Sequence, residues 1–186
     1  MAYTDIDNPS ETAFNTVLYT GNGAAGQAIT GVGFQPDLTW IKNRSDDQNH
    51  SLTDSVRGVT KTLRSDTHIA ETTDSQGQTA FGTDGFSVGS EPKINGSGNS
   101  IVAWNWKAGT AFSNDASSTG VGSIDSVGSI NTTTGFSIIT YNGTDGTETV
   151  AHGLGVAPDF IWFKRRNADK NNVAYHSALG LSLIHI

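Results

Sequence analysis

Ser65-Asp66-Thr67-His68-Ile69-Ala70-Glu71 sets two carboxylates and an imidazole close together, and His50 lies upstream of them. These are oxygen and nitrogen donors of the kind a metal ion takes from protein. Ligation needs a defined donor count and geometry, and no neighbouring pattern imposes one on Asp66, His68, Glu71 and His50. The stretch reads as a polar loop, and no metal site is expected. The runs TDGF (83–86) and NGTDG (142–146) carry calcium-type oxygens without the dense carboxylate spacing of an EF-hand loop, so turn chemistry accounts for both. The run GNGAAG (21–26) satisfies G-x-G-x-x-G after an extended segment, and Asp46 and Asp47 follow at about the separation of a ribose-binding acid. A dinucleotide site would also need a helix whose N-terminus meets the pyrophosphate. The following QAITGVGFQP has no helical pattern, so a hairpin turn is expected and no cofactor.

Hydrolysis of a glycan would require two carboxylates roughly 5–10 Å apart across the bond. No extended run presents acids two apart on one face, and no G-x-S-x-G elbow activates a serine. The sequence supplies no catalytic, cofactor-binding or metal residue and leaves ligand-binding residues unassigned. The expectation is a protein that is not an enzyme.

The elements that would position any site are β-strands. The 22 glycines, with abundant Ser, Thr, Asn and Asp, place turn residues at short intervals, and long helical runs of Ala, Leu, Glu and Lys are missing. Short β-favouring runs occur at 14–20, 38–43, 85–90, 100–107, 135–142, 148–152 and 159–165. Polar connections between them predict an all-β sandwich, jelly-roll-like rather than alternating βα. In IVAWNWK, the period of two puts Val102, Trp104 and Trp106 on one face, which is expected to pack inward as core. With 18 acidic against 11 basic residues, the net charge of −7 lacks the basic footprint of a nucleic-acid binder. No run approaches the roughly 20 apolar residues of a membrane helix, no basic leader precedes an apolar core, and the absence of cysteine excludes disulfides. Neither nucleic acid nor membrane is an expected partner.

The chain also repeats itself. Residues 14–58 align without a gap on 136–180, at an offset of 122 (136 − 14), with fourteen identities across 45 positions. Phe14, Tyr19, Gly31, Gly33, Pro36 and Asp37 match Phe136, Tyr141, Gly153, Gly155, Pro158 and Asp159. Trp40, Lys42, Arg44 and Gly58 match Trp162, Lys164, Arg166 and Gly180. The shared positions read as a strand, a glycine turn, a tight Gly-x-Gly bend, a Pro-Asp turn and a second strand. The expected organisation is a lead-in at 1–13, a first β unit at 14–135 and the start of a second, truncated unit at 136–180. The alternative makes the two copies halves of one pseudo-symmetric sandwich. Residues 181–186, LSLIHI, resemble the translated read-through of a sequencing adapter at the end of a metagenomic fragment and are expected to be non-native.

The phrases NTVLYTGNG, GVGFQPDLTWIKNRS, DSVRGVTKTL, TDGFSVGS and NGSGNSIVAWNWKAGT, followed by TGFSIITYNGTDG, AHGLGVAPDFIWFKRRN and VAYHSALG, carry a family resemblance. The chain resembles an uncharacterised repeat domain of bacteriophage structural proteins, familiar from marine phages and from tail-fibre or tail-associated chains, sometimes beside jelly-roll lectin domains. The resemblance implies a virion structural protein of the tail or tail fibre, made in the host cytoplasm and engaged in host recognition as an adhesin. It implies other virion proteins as partners, a host-surface polysaccharide as ligand and a homo-oligomeric assembly. It transfers no catalytic residue. A carbohydrate-binding module is the alternative reading, and a polysaccharide depolymerase a third.

Overall fold

A computed structural model describes residues 13–179 and the backbone of 184–185. Most of the expected lead-in at 1–13, and residues 181–183 and 186 of the expected tail, lie outside the described residues. The chain is all-β, with several antiparallel sheets.

In chain order the strands are β1 (Phe14–Thr20), β2 (Gln27–Thr30), β3 (Leu38–Asn43), β4 (Ser51–Asp54), β5 (Lys61–Thr62), β6 (Thr72–Thr73), β7 (Gln78–Gly82) and β8 (Gly85–Val88). After a short helix, α1 (Pro92–Asn95), come β9 (Ser100–Trp106) and β10 (Thr110–Asn114), then α2 (Ala116–Thr119). The remaining strands are β11 (Ser126–Asn131), β12 (Phe136–Tyr141), β13 (Phe160–Phe163), β14 (Val173–His176) and β15 (Ile184–His185).

Two sheets make the sandwich. The first runs β1-β9-β3-β4 and the second β2-β8-β7. Ile41, Ile101 and Ala103 from the first meet Ile29, Phe86 and Val88 from the second, with Ile94 of α1 closing one end and Val17 and Tyr19 packed against them. Burial of a large aliphatic or aromatic side chain here is worth roughly 1.5–3 kcal/mol. β9 lies at the centre because its Ile101, Ala103 and Asn105 are all fully buried, between β1 (Val17↔Ala103) and β3 (Ile41↔Ala103).

This corrects the expected orientation of β9. Trp104 and Trp106 are only half-buried, and the core lies on the opposite face, that of Ala103. A period of two defines two faces without saying which one meets the second sheet. Here both are covered, the tryptophan face by aromatic side chains from farther along the chain.

The GNGAAG turn also differs from the expected hairpin. β1 pairs with β9 whereas β2 pairs with β8, so the turn carries the chain from one sheet to the other. It is pinned by the Gly21 amide on the Asn99 carbonyl (2.9 Å) and the Gly23 amide on the Asn95 carbonyl (2.9 Å). Extended chain, and not a helix, follows it.

Beyond the sandwich, β10-β11-β12 form an antiparallel meander and β13-β14-β15 a further three-stranded sheet. Strand pairing recurs along the sequence. β3 and β4 pair from Leu38↔Asp54 to Ile41↔Ser51, and β13 and β14 from Phe160↔His176 to Phe163↔Val173, every residue displaced by 122 (160 − 38). β15 places the backbone of 184–185 beside β14.

Candidate functional site

The largest concentration of recognition-type side chains is the tryptophan face of the first sheet. Register sets Trp40 of β3 opposite Trp104 of β9, and their ring centroids lie 5.8 Å apart. Trp40 also packs on Trp106 (6.5 Å) and on Trp162 of β13 (5.7 Å). Trp106 in turn contacts Phe14 (4.9 Å) and Phe136 (6.4 Å). All four tryptophans are half-buried, and each has at least one neighbouring ring. Offset and edge contacts of this kind add roughly 0.5–1.5 kcal/mol beyond area burial. The Trp40–Trp162 and Trp106–Phe136 contacts join residues 14–106 to residues 136–162.

His50 belongs to this cluster and not to a metal site. Its Nδ1 accepts a hydrogen bond from Trp40 Nε1 (2.7 Å), which fixes the neutral tautomer with the proton on Nε2. Burial lowers its pKa, Asp66 opposes that and Lys42 reinforces it. Asp66 accepts from the His50 amide (3.3 Å) and from Asn49 Nδ2 (3.0 Å). Glu71 bridges two arginines, at 3.0 Å from Arg57 and 2.9 Å from Arg166. Burial would raise the Glu71 pKa, but hydrogen bonds and charge from Arg166 and Arg57 outweigh it and hold the carboxyl below its usual range. Thus the structure keeps Asp66 beside the His50 backbone and sets Glu71 apart, between two arginines. Among the described residues no group of three or more His, Asp or Glu side chains could hold a metal ion.

The two calcium-like runs likewise make internal loop contacts. Asp84 of TDGF accepts from the Gly31 amide (3.0 Å) and the Gly33 amide (2.7 Å), clasping the Gly-x-Gly bend, whose glycines both have positive φ (87° and 86°). Those two amides hold the Asp84 carboxyl below its usual pKa. In the loop that begins NGTDG, Thr144 and Ser123 both donate to Glu148, which lowers its pKa.

Three features were not legible in the sequence. Arg57, Asp54 and Glu71 form a nearly buried ion cluster in which Arg57 Nε lies 2.5 Å from Asp54, while its other nitrogens donate to the Lys61 and Leu52 carbonyls. Asp74 and Glu91 come together from separate loops. Burial and the Glu91 carboxyl push Asp74 up, whereas Glu91, also subject to burial, is held down by Lys93 and Asp74. Finally, an open groove of about 640 Å³ lies beside β10 and is lined in part by Phe112, Asn114, Val121, His152 and Val156. Two of its polar atoms are engaged internally: Asn114 Nδ2 donates to the Val121 carbonyl (2.8 Å), and His152 Nδ1 accepts from the Leu154 amide (3.3 Å).

Neither a curated protein nor a solved structure matches the chain. A family model does, across residues 8–185, a span that takes in the sandwich, the tryptophan cluster and β13 to β15; the chain belongs to the family described as Domain of unknown function (DUF7483).

Proposed function

We propose that the chain is a structural module of a bacteriophage virion, part of the tail or a tail fibre, with a host-surface adhesin role. It is made in the host cytoplasm, assembles with other virion proteins and has no catalytic activity. The phage assignment is supported by the sequence phrases quoted above. The architectural reading is carried by one observation: the half-buried tryptophans pack against one another in edge, tilted and stacked contacts, binding together strands from distant parts of the chain. Asp66, Glu71 and His50 pin loops and strand ends.

A carbohydrate-binding reading is favoured only by the groove beside β10, whose apolar floor and open mouth suit a short glycan. The paired Asp74 and Glu91 are what a depolymerase would have to use. Two measurements separate these readings. Antibody against the chain, applied to intact particles of a phage that encodes it, is expected to decorate the tail; particles that stay bare overturn the virion assignment. Incubation of the purified chain with host-surface polysaccharides is expected to release no new reducing ends, and their release would replace the structural reading with the depolymerase. A glycan array completes the comparison, since retention of one defined polysaccharide assigns the adhesin role to this chain.

A further inference from the structure

The two strand pairs that share a register differ in what lies beside them. β3 is flanked on one edge by β4 and on the other by β9, from Leu38↔Trp106 to Asn43↔Ile101. β13 is flanked by β14 in the same register as β3 by β4, and among the described residues no strand pairs with its other edge.

Surrounding contacts recur at the same offset. Ser55 Oγ donates to Asp37 Oδ1 at 2.6 Å, and Ser177 Oγ to Asp159 Oδ1 at 2.6 Å. Lys42 Nζ donates to the Gln48 carbonyl, and Lys164 Nζ to the Lys170 carbonyl. The differences concentrate where β9 would be. Ile41, beside Ala103 of β9, is 1% exposed, but its counterpart Phe163 is 39% exposed. Thr39, opposite Asn105, is fully buried; its counterpart Ile161 is only partly so. Phe160, at the start of the strand, is 57% exposed. Trp40 Nε1 has His50 as acceptor, whereas the buried Trp162 Nε1 and the buried Asn172 Oδ1, at the corresponding positions, both lack a hydrogen-bond partner. An open apolar edge with unpaired backbone amides is a template for an added strand.

We propose that the free edge of β13 is a strand-acceptor site, and that its occupant is a β9-type strand from another repeat unit of this family. That strand runs antiparallel to β13 in the register β9 adopts on β3. The site joins repeat units by backbone pairing, with alternate side chains covering Phe163 and Ile161. The inference rests on strand register and burial and is independent of the virion assignment.

A synthetic peptide of residues 98–107, GNSIVAWNWK, added to the whole chain tests this by hydrogen exchange. Exchange at 160–163 is expected to slow by about tenfold or more, with no change at 38–43, where the edge is already filled. The same peptide carrying Val102→Pro, which removes a central amide on the edge that β9 turns to β3 (the Arg44 amide donates to the Ser100 carbonyl in that ladder), is expected to give no slowing. A chain extended at its C-terminus by a flexible linker and the same ten residues raises the effective concentration and is expected to protect 160–163 without added peptide. Failure of both the free and the tethered strand to protect β13 overturns the proposal. Equal protection by the Pro-bearing peptide overturns it as well. Protection of β13 in the chain alone, together with a dimer mass by light scattering, would give the edge to a second copy instead.

Discussion

Asp37 and Asp159 occupy the same place in two Pro-Asp turns, yet their surroundings give them different weight. Asp37 is 4% exposed and accepts from Ser55 Oγ (2.6 Å) and from the Ala108 amide (2.9 Å). It ties the start of β3 to the chain leaving β9. Asp159 keeps the serine contact at an exposed site. A buried donor left without its acceptor costs roughly 1–3 kcal/mol. Chemical denaturation is therefore expected to show a loss of about 3 kcal/mol for Asp37→Ala and less than about 1 kcal/mol for Asp159→Ala. His50 gives a pH-dependent counterpart. Its folded pKa lies below the unfolded value of 6.5, held there mainly by burial, with Lys42 assisting and Asp66 opposing. The neutral form accepts the Trp40 indole proton, so its contribution to stability is complete above pH 6.5 and is lost as pH falls toward the folded pKa. His50→Gln retains an acceptor and does not titrate. Between pH 7.5 and 5.5 it is expected to lose less stability than the parent, and equal losses in the two proteins would remove His50 from the account.

At the scale of elements, the strands were legible and their partners were not. Runs of Val, Ile, Thr and aromatic residues between glycine-rich turns marked β1, β3, β9 and β12, because those side chains suit a pleated, half-buried surface. Which strand pairs with which depends on distant chain, as does the choice of inner face. The tryptophan face of β9 looked like core by composition, but the small Ala103 and the aliphatic Ile101 pack at the sheet-to-sheet contact, where two backbones approach. Gly85 illustrates the same limit. In the sequence it is one turn glycine among many. In the structure it stands opposite Thr30 in the β2-β8 pair with φ 149°, and a Cβ there would lie 2.0 Å from the Ile29 carbonyl oxygen. Gly85→Ala is expected to cost about 2–4 kcal/mol of unfolding free energy, read by chemical denaturation, through backbone strain and displacement of Ile29 from the core. The candidate site was the least legible part. Asp66, His68 and Glu71 are adjacent in sequence, but the ion partners of Glu71 are Arg57 and Arg166, from either side and far along the chain.

Across the whole molecule, identical strand register does not mean equal stability. The β3-β4 pair sits in a sheet whose inner face is filled by Ile29, Phe86, Val88 and Ile94, so opening it exposes the core. The β13-β14 pair has the same hydrogen-bonded alignment, but Phe160 and Phe163 are exposed and Ala174 is its one buried apolar residue. It is held to the rest mainly by the Trp40–Trp162 contact, by the Arg166–Glu71 ion pair and by Asn172 Nδ2, which donates to carbonyls of residues 64, 65 and 67. Resistance to opening follows buried apolar contact more than backbone hydrogen bonding, since the latter is exchanged for bonds to water. Native-state hydrogen exchange on the chain alone is therefore expected to place β3 and β9 among the slowest amides and β13 and β14 at least about 100-fold faster. Trp162→Ala is expected to widen that gap while leaving β3 and β9 within about tenfold of the parent, because it removes a contact between the two parts and nothing from the sandwich core. Equal protection of both pairs would mean that the aromatic cluster couples them into one cooperative unit, in which case Trp162→Ala should speed exchange in both together.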